Sequence, residues 1–233
     1  MHDAYSFVLQ ALKVGRVISF APCVGLALVV LGQLRITQAI QIQNNHHIPA
    51  ETAKRLRNST IGLILRAKTS LQRTLALDGL EAETRTEGQL TLAQAAFLLG
   101  EIDSAWQQIL QVMREAKKYD QIWLLACAQR LLGNILATRD QHEEAAKHFR
   151  QSLQILEERG MRLEWARTLR DYNETILRQA HSDNGDFEQA IFHLQEARKV
   201  FEECGAALDL ELVDRSLAAY ASPVEAAAHK HDK

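Results

Sequence analysis

Apolar residues recur at helical spacing along most of the chain, and short polar or glycine-containing stretches interrupt them at regular intervals. Apolar side chains at positions i, i+4 and i+7 lie on one face of a helix. The sequence therefore predicts an all-α fold in which antiparallel helices are joined by short turns. The predicted hairpins are residues 83–99 with 103–119, 122–139 with 142–159, and 162–180 with 186–204.

Three of the turns are followed by the same arrangement of small and large residues. Aligned on Ala105, Ala145 and Ala190, they repeat at intervals of 40 and 45 residues. The larger residues four positions later are Ile109, Phe149 and Leu194, and three positions further on come Val112, Ser152 and Ala197. Helices approach closely near their turn, so the alanine position has room only for a small side chain.

The predicted helix ends keep the same interval. They fall at Gly79, Asp120, Gly160 and Gly205. A glycine just past the end of a helix adopts the left-handed conformation that lets the last carbonyl groups be satisfied. Asp140, followed by Glu143 three residues later, predicts a capping box at the start of the next helix.

Four regions follow from this pattern. Residues 1–47 form an apolar N-terminal helical hairpin, and 48–79 form a long helix that completes a degenerate first repeat. Residues 80–222 contain the three hairpins and a C-terminal capping helix that covers the open face of the last one. Residues 223–233 are predicted to form a flexible tail.

Composition narrows the class of protein. With 233 residues, 47% of them hydrophobic, the chain is long enough to bury a substantial core. A net charge of −2 provides no global field that attracts nucleic acid, so we expect no direct nucleic-acid contact. The three cysteines show no paired spacing, which fits a reducing, cytoplasmic environment.

One segment allows two interpretations. Residues 17–34 carry no charge and approach the ~20 apolar residues that a membrane-spanning helix needs. Against a membrane span, Pro22 fits the first turn of a helix, and the apolar pattern continues beyond residue 34 with helical spacing. The sequence favours a buried helix of the solenoid, and the membrane segment remains the open alternative.

The chain lacks the common sequence motifs of enzymes. There is no phosphate-binding glycine loop, no Gly-x-Ser-x-Gly and no His-Glu-x-x-His. The pair His46-His47 has no acidic or thiol partner at ligand spacing, and Trp165 lies on an apolar helix face typical of core packing. We therefore expect no catalytic residue, no bound metal and no cofactor.

Two segments carry a resemblance to a known family. "LLGNILATRDQHEEAAKHFRQSL" contains the Leu132-Gly133 pair, Ala145, Phe149 and Ser152 of a tetratricopeptide repeat, and "GDFEQAIFHLQEA" is similar. The usual terminal proline is missing, and the periods exceed the family's roughly 34 residues. In this the chain resembles the C-terminal regions of bacterial MalT-like regulators and signalling ATPases. The resemblance implies a right-handed α-solenoid.

The resemblance also implies a binding face. In this family the first helix of each hairpin lines a concave groove, and basic and asparagine side chains there clamp a peptide's C-terminal carboxylate. The corresponding residues of this chain are Arg130, Asn134, Arg167 and Arg170. Arginine recognises a carboxylate through two parallel hydrogen bonds. Asp171 and Glu174 intrude on this arrangement.

These observations lead to a functional expectation. The chain is predicted to be a non-catalytic interaction module that binds a peptide or partner domain in its groove, and we also expect contacts between copies through the N-terminal helices. The alternative is a small-molecule-sensing regulatory domain of a bacterial transcription or signalling protein.

Overall fold

The computed structural model describes residues 2–17, 21–43, 50–179 and 185–231. Across these residues the chain consists of helices and short turns with no strand, so the predicted all-α class is confirmed. The helices are α1 (His2–Val17), α2 (Ala21–Gln43), α3 (Ala50–Leu75), α4 (Ala82–Leu98), α5 (Ile102–Lys118), α6 (Ile122–Thr138), α7 (His142–Glu158), α8 (Arg162–Leu177), α9 (Gly185–Glu203) and α10 (Ala207–His231).

The chain divides into two compact units, Met1–Ala128 and Gln129–Lys233, with the border inside α6. In the first unit, each helix from α1 to α5 packs against its neighbours in sequence, and α2 also contacts α4. In the second unit, α7 to α10 pack in the same order, and α8 also contacts α10. Packing between neighbours and between alternate helices is the arrangement expected of an α-solenoid. Its right-handed sense stays a prediction.

The repeated pattern of small and large residues forms the cores of the hairpins. Ala105, Ala145 and Ala190 are at most 1% exposed. The larger residues Ile109, Phe149 and Leu194 are completely buried. The predicted helix face is therefore confirmed in all three hairpins.

The predicted helix ends are also confirmed. The residues with positive φ include Gly79 at 72°, Asp120 at 53°, Gly160 at 64° and Gly205 at 64°. After Gly160, for example, the amide of Met161 donates to the carbonyl of Leu156 at 2.9 Å. This bond reaches back over the left-handed residue and satisfies a carbonyl in the last turn of the helix.

The assignment of Asp140 as a helix cap is wrong. Asp140 has φ 58° and occupies the left-handed position that ends α6. The amide of the next residue, Gln141, donates back to the carbonyl of Leu136 at 3.0 Å. Gln141 is the cap position of α7, and its side chain makes no capping hydrogen bond. Aspartate suits both positions because its short polar side chain tolerates left-handed backbone and also caps helices.

The apolar segment 17–34 contributes most of α2. Val29 and Leu31 are buried there, and the helix packs against α1, α3 and α4. A Cβ atom at Gly25 would lie 2.1 Å from a methyl carbon of Leu80, so α2 approaches its neighbour too closely for any larger residue. No helix within the described ranges has the length and apolar character needed to cross a membrane. The predicted turn with His46 and His47 lies outside the described residues.

The C-terminal helix caps the last hairpin as predicted but extends further. Val213 is fully buried in the core of the second unit, and Leu217 and Tyr220 pack against it. Where a tail was predicted from residue 223, the backbone remains helical to His231. The segment after Pro223 is rich in alanine and glutamate, which favour helix, and this explains the difference.

We predict that Gly133→Ala destabilises the protein by about 1–2 kcal/mol. The new Cβ atom would lie 2.9 Å from ring atoms of Phe149, which is fully buried and stacked on Tyr172. Urea unfolding followed by circular dichroism measures the change. Gly62→Ala is the matched control, because nothing lies within 4 Å of its Cβ position, and it should be neutral or stabilising. Equal effects of the two substitutions would contradict the tight contact.

We also predict that Asp140→Gly stabilises the protein by about 0.5–1 kcal/mol, since glycine adopts positive φ without steric cost. The ion pair lost with His142 is 3.7 Å long and exposed, so it contributes little. The reverse change at the equivalent turn, Gly160→Asp, should destabilise in the same unfolding assay. A loss of stability in Asp140→Gly would mean that the aspartate side chain has a further role.

Candidate functional site

The four residues predicted to bind a partner lie together in the second unit. Arg130 and Asn134 project from α6, and Arg167 and Arg170 project from α8. Acidic side chains from α8 and α10 lie among them, so each basic group has partners within the protein. We call this set the charged network: Arg130, Asn134, Glu164, Arg167, Arg170, Asp171, Glu174, Asp209 and Ser216.

The repeat places these residues beside one another. The helices α6, α8 and α10 alternate with α7 and α9, so they correspond to the same position in successive hairpins. The pairs that link α6 to α8 are 34 and 37 residues apart, and those that link α8 to α10 are 39 and 42 apart. Residues one period apart occupy equivalent positions on equivalent helices, which is why they meet.

Two side chains of α6 contact α8. The Nη1 atom of Arg130 lies 2.8 Å from Oε2 of Glu164 and donates to the carbonyl of the same residue at 3.2 Å. Asn134 donates from Nδ2 to Oδ2 of Asp171 at 2.9 Å. Arg130 also lies 3.9 Å from that oxygen through Nε. These contacts fix the position of α6 relative to α8.

The contacts between α8 and α10 converge on Asp209. Arg167 donates from Nε to both carboxylate oxygens at 3.1 Å and from Nη2 to Oδ2 at 2.7 Å. Arg170 donates from Nη1 to Oδ1 at 3.0 Å. The side chain of Asp209 is only 10% exposed. Hydrogen bonds between charged groups in such a multiply bonded arrangement are among the strongest in proteins.

Further contacts lie within α8. Arg167 donates from Nη1 to Glu164 at 2.5 Å, and Arg170 donates from Nη2 to Asp171 at 2.9 Å. Each guanidinium group of the network therefore contacts two carboxylates. Glu174 is less well paired: it accepts a hydrogen bond from the Ser216 hydroxyl at 2.6 Å, and its nearest cation is Arg170 at 4.0 Å.

The local electrostatics separate the acidic groups. Burial alone would raise the pKa of Glu164, but Arg130 and Arg167 outweigh it and lower that pKa from 4.5 to about 2. Burial also opposes ionisation of Asp171, whose pKa is nevertheless lowered by the charges of Arg170 and Arg130. At Glu174 burial dominates, and the pKa is raised above its usual value of 4.5.

The sequence identified the basic half of the network and missed part of the acidic half. Glu164, Asp209 and Ser216 attracted no attention because they are common residues in otherwise amphipathic helices. The one usable signal was their spacing of roughly one repeat from a basic residue. Whether the four predicted residues bind a partner stays a prediction.

The chain matches no known protein family and no curated protein sequence. Within the described parts of the chain, no group of three or more His, Cys, Asp or Glu side chains is arranged to hold a metal ion. The charged network therefore has to be interpreted from its own chemistry. It holds three helices in register and presents charged groups at a partly exposed surface.

The different environments of Glu164 and Glu174 predict opposite effects of neutralising them. The folded-state pKa of Glu164 is lowered, so its stabilising contribution is present above pH 4.5 and is lost as pH falls toward 2. Glu164→Gln should therefore lower the free energy of unfolding at pH 7 by about 1–3 kcal/mol, and the difference from wild type should shrink in acid.

Glu174→Gln is the matched comparison. Its folded-state pKa is raised, so the ionised carboxylate costs stability above pH 4.5, and the cost disappears in acid. The glutamine variant should be as stable as wild type or more stable at pH 7. Urea unfolding at pH 7 and pH 3 measures both variants. Equal losses of stability at pH 7 would contradict this account of the network.

Proposed function

We propose that the chain is a non-catalytic interaction module that binds a peptide or a partner domain at the charged network. The observation that carries the proposal is the convergence of nine polar residues from α6, α8 and α10 on one partly exposed face. Helices hold these groups in fixed positions, and extended surfaces of helical repeats commonly bind peptides. The resemblance to tetratricopeptide repeats adds support.

The accessibility of the network fits this proposal. The side chain of Arg167 is 33% exposed and that of Glu174 is 28% exposed, whereas Arg170 and Asp209 are largely covered. A ligand would therefore meet one guanidinium and one carboxylate at the surface while the deeper pairs hold them in place. Because these groups already have partners within the protein, binding depends on the exchange of ion pairs, and salt should weaken it.

The test is selection of binders from a random peptide library, followed by fluorescence polarisation with the selected peptides. Binding should fall at least about tenfold in Arg167→Gln and remain unchanged in Glu157→Gln, an exposed position on α7. Thermal unfolding of each variant shows whether the fold is retained. The absence of any selected binder would contradict the proposal, and stabilisation by small charged molecules alone would favour the alternative sensory role.

We propose in addition that copies of the chain associate through the N-terminal helices. Six of the eight large apolar side chains exposed among the described residues belong to α1–α3, and they are Phe7, Leu9, Val14, Leu26, Ile61 and Leu65. The opposite end of the chain differs, because the exposed positions of α10 include Glu211 and Asp214. Clustered exposed apolar residues mark interaction surfaces, and the ends of helical arrays need covering.

Sedimentation equilibrium tests this association. The wild-type chain should sediment as a dimer or larger species, and Phe7→Glu/Val14→Glu should shift it toward the monomer, because both exposed positions lie on α1. Phe192→Glu is the control, since this exposed residue lies on α9 in the other unit. A wild-type chain that is monomeric at all concentrations would overturn the proposal.

A further inference from the structure

The charged network contains more acidic than basic groups. Three guanidinium groups, those of Arg130, Arg167 and Arg170, lie among the carboxylates of Glu164, Asp171, Glu174 and Asp209. Three of these acids pair closely with two arginines each or with an arginine and an asparagine. The fourth, Glu174, is the acid in excess.

The arginines are poor sites for a ligand carboxylate. Asp209 accepts hydrogen bonds from Arg167 and Arg170, and Glu164 bridges Arg130 and Arg167. These acids are attached to helices of the same unit, so they are always present beside the arginines. A carboxylate from solution would have to displace them and leave a largely buried aspartate or glutamate without its partner, which is costly.

Glu174 has the opposite situation. Its Oε1 atom accepts the hydrogen bond from Ser216, and its Oε2 atom accepts none from any described residue. The nearby Arg178 donates its Nη2 hydrogen bond to Thr175 at 3.1 Å and forms no ion pair with Glu174. Among the four acids, Glu174 also has the most exposed side chain. It can therefore accept a donor from outside the protein.

We propose that Glu174 binds a cationic side chain of the partner, a lysine or arginine, and that the network does not take a free carboxylate. The inference rests on the proposed function and specifies the chemistry of its ligand. A cation at Oε2 completes the pairing of the fourth carboxylate without breaking any ion pair of the network. The raised pKa of Glu174 agrees with a carboxylate that lacks a close cation.

The test uses three synthetic peptides of equal length, blocked at both ends, with alternating Gly-Lys, Gly-Glu or Gly-Ser sequences. Isothermal titration should detect binding of the Gly-Lys peptide and not of the other two. Glu174→Gln should weaken this binding about fivefold, the effect of one partly exposed ion pair. Glu157→Gln removes an equal charge from an exposed position outside the network and should leave binding unchanged.

A second readout separates a direct contact from a general charge effect. A cation beside Glu174 lowers its pKa, so binding near pH 5 should release protons, and the measured heat should depend on the buffer. This dependence should vanish in Glu174→Gln. Urea unfolding confirms that the variant folds, and Glu174→Asp serves as a second variant if it does not.

Binding of the Gly-Glu peptide in preference to Gly-Lys would overturn the inference and leave the interaction module intact, with its arginines as the binding groups. Equal affinity of wild type and Glu174→Gln for Gly-Lys would also overturn it. Failure of all three peptides contradicts the cation site alone, since the peptide-library selection tests the broader proposal separately.

Discussion

The close approach of paired helices at small residues is the constraint on which the second unit depends. Gly133 on α6 lies against the ring of Phe149 on α7, with no room for even one methyl group. Ala145 and Ala190 occupy comparable buried positions in their hairpins. These contacts set how each helix lies on the next. The faces of α6, α8 and α10 that carry the charged residues are aligned as a consequence.

The charged network then uses this alignment. Ion pairs this poorly exposed contribute little net stability unless their geometry is good, because removing charges from water is expensive. The bidentate contact of Arg167 with Asp209 meets that requirement. Misplacing α10 by one turn would leave Asp209 buried without a partner, so the network penalises incorrect packing more than it rewards correct packing. Its main structural effect is therefore on the register of the helices.

Local patterns predicted most of the fold because the signals for helices and turns are local. The hairpins and the left-handed residues at helix ends follow from spacing and from glycine chemistry, and the observed helices differ from prediction by few residues. Asp140 was misassigned because an aspartate before a helix has two structural meanings that only its φ distinguishes. The continuation of α10 past Pro223 was missed because proline was weighed more heavily than the helix-forming residues that follow.

The site was harder to predict because its contacts depend on register between repeats of unequal length. Arg130 finds its acid 34 residues later, whereas Arg167 finds Asp209 after 42 residues. A fixed step along the sequence therefore identifies the basic residues but not their partners. The partners decide the chemistry: arginines that are free bind anions, whereas arginines paired within the protein only position their acids. In this network the paired arginines leave Glu174 as the group whose charge is least compensated, so the sign of the surface follows from the pairing and not from the arginines alone.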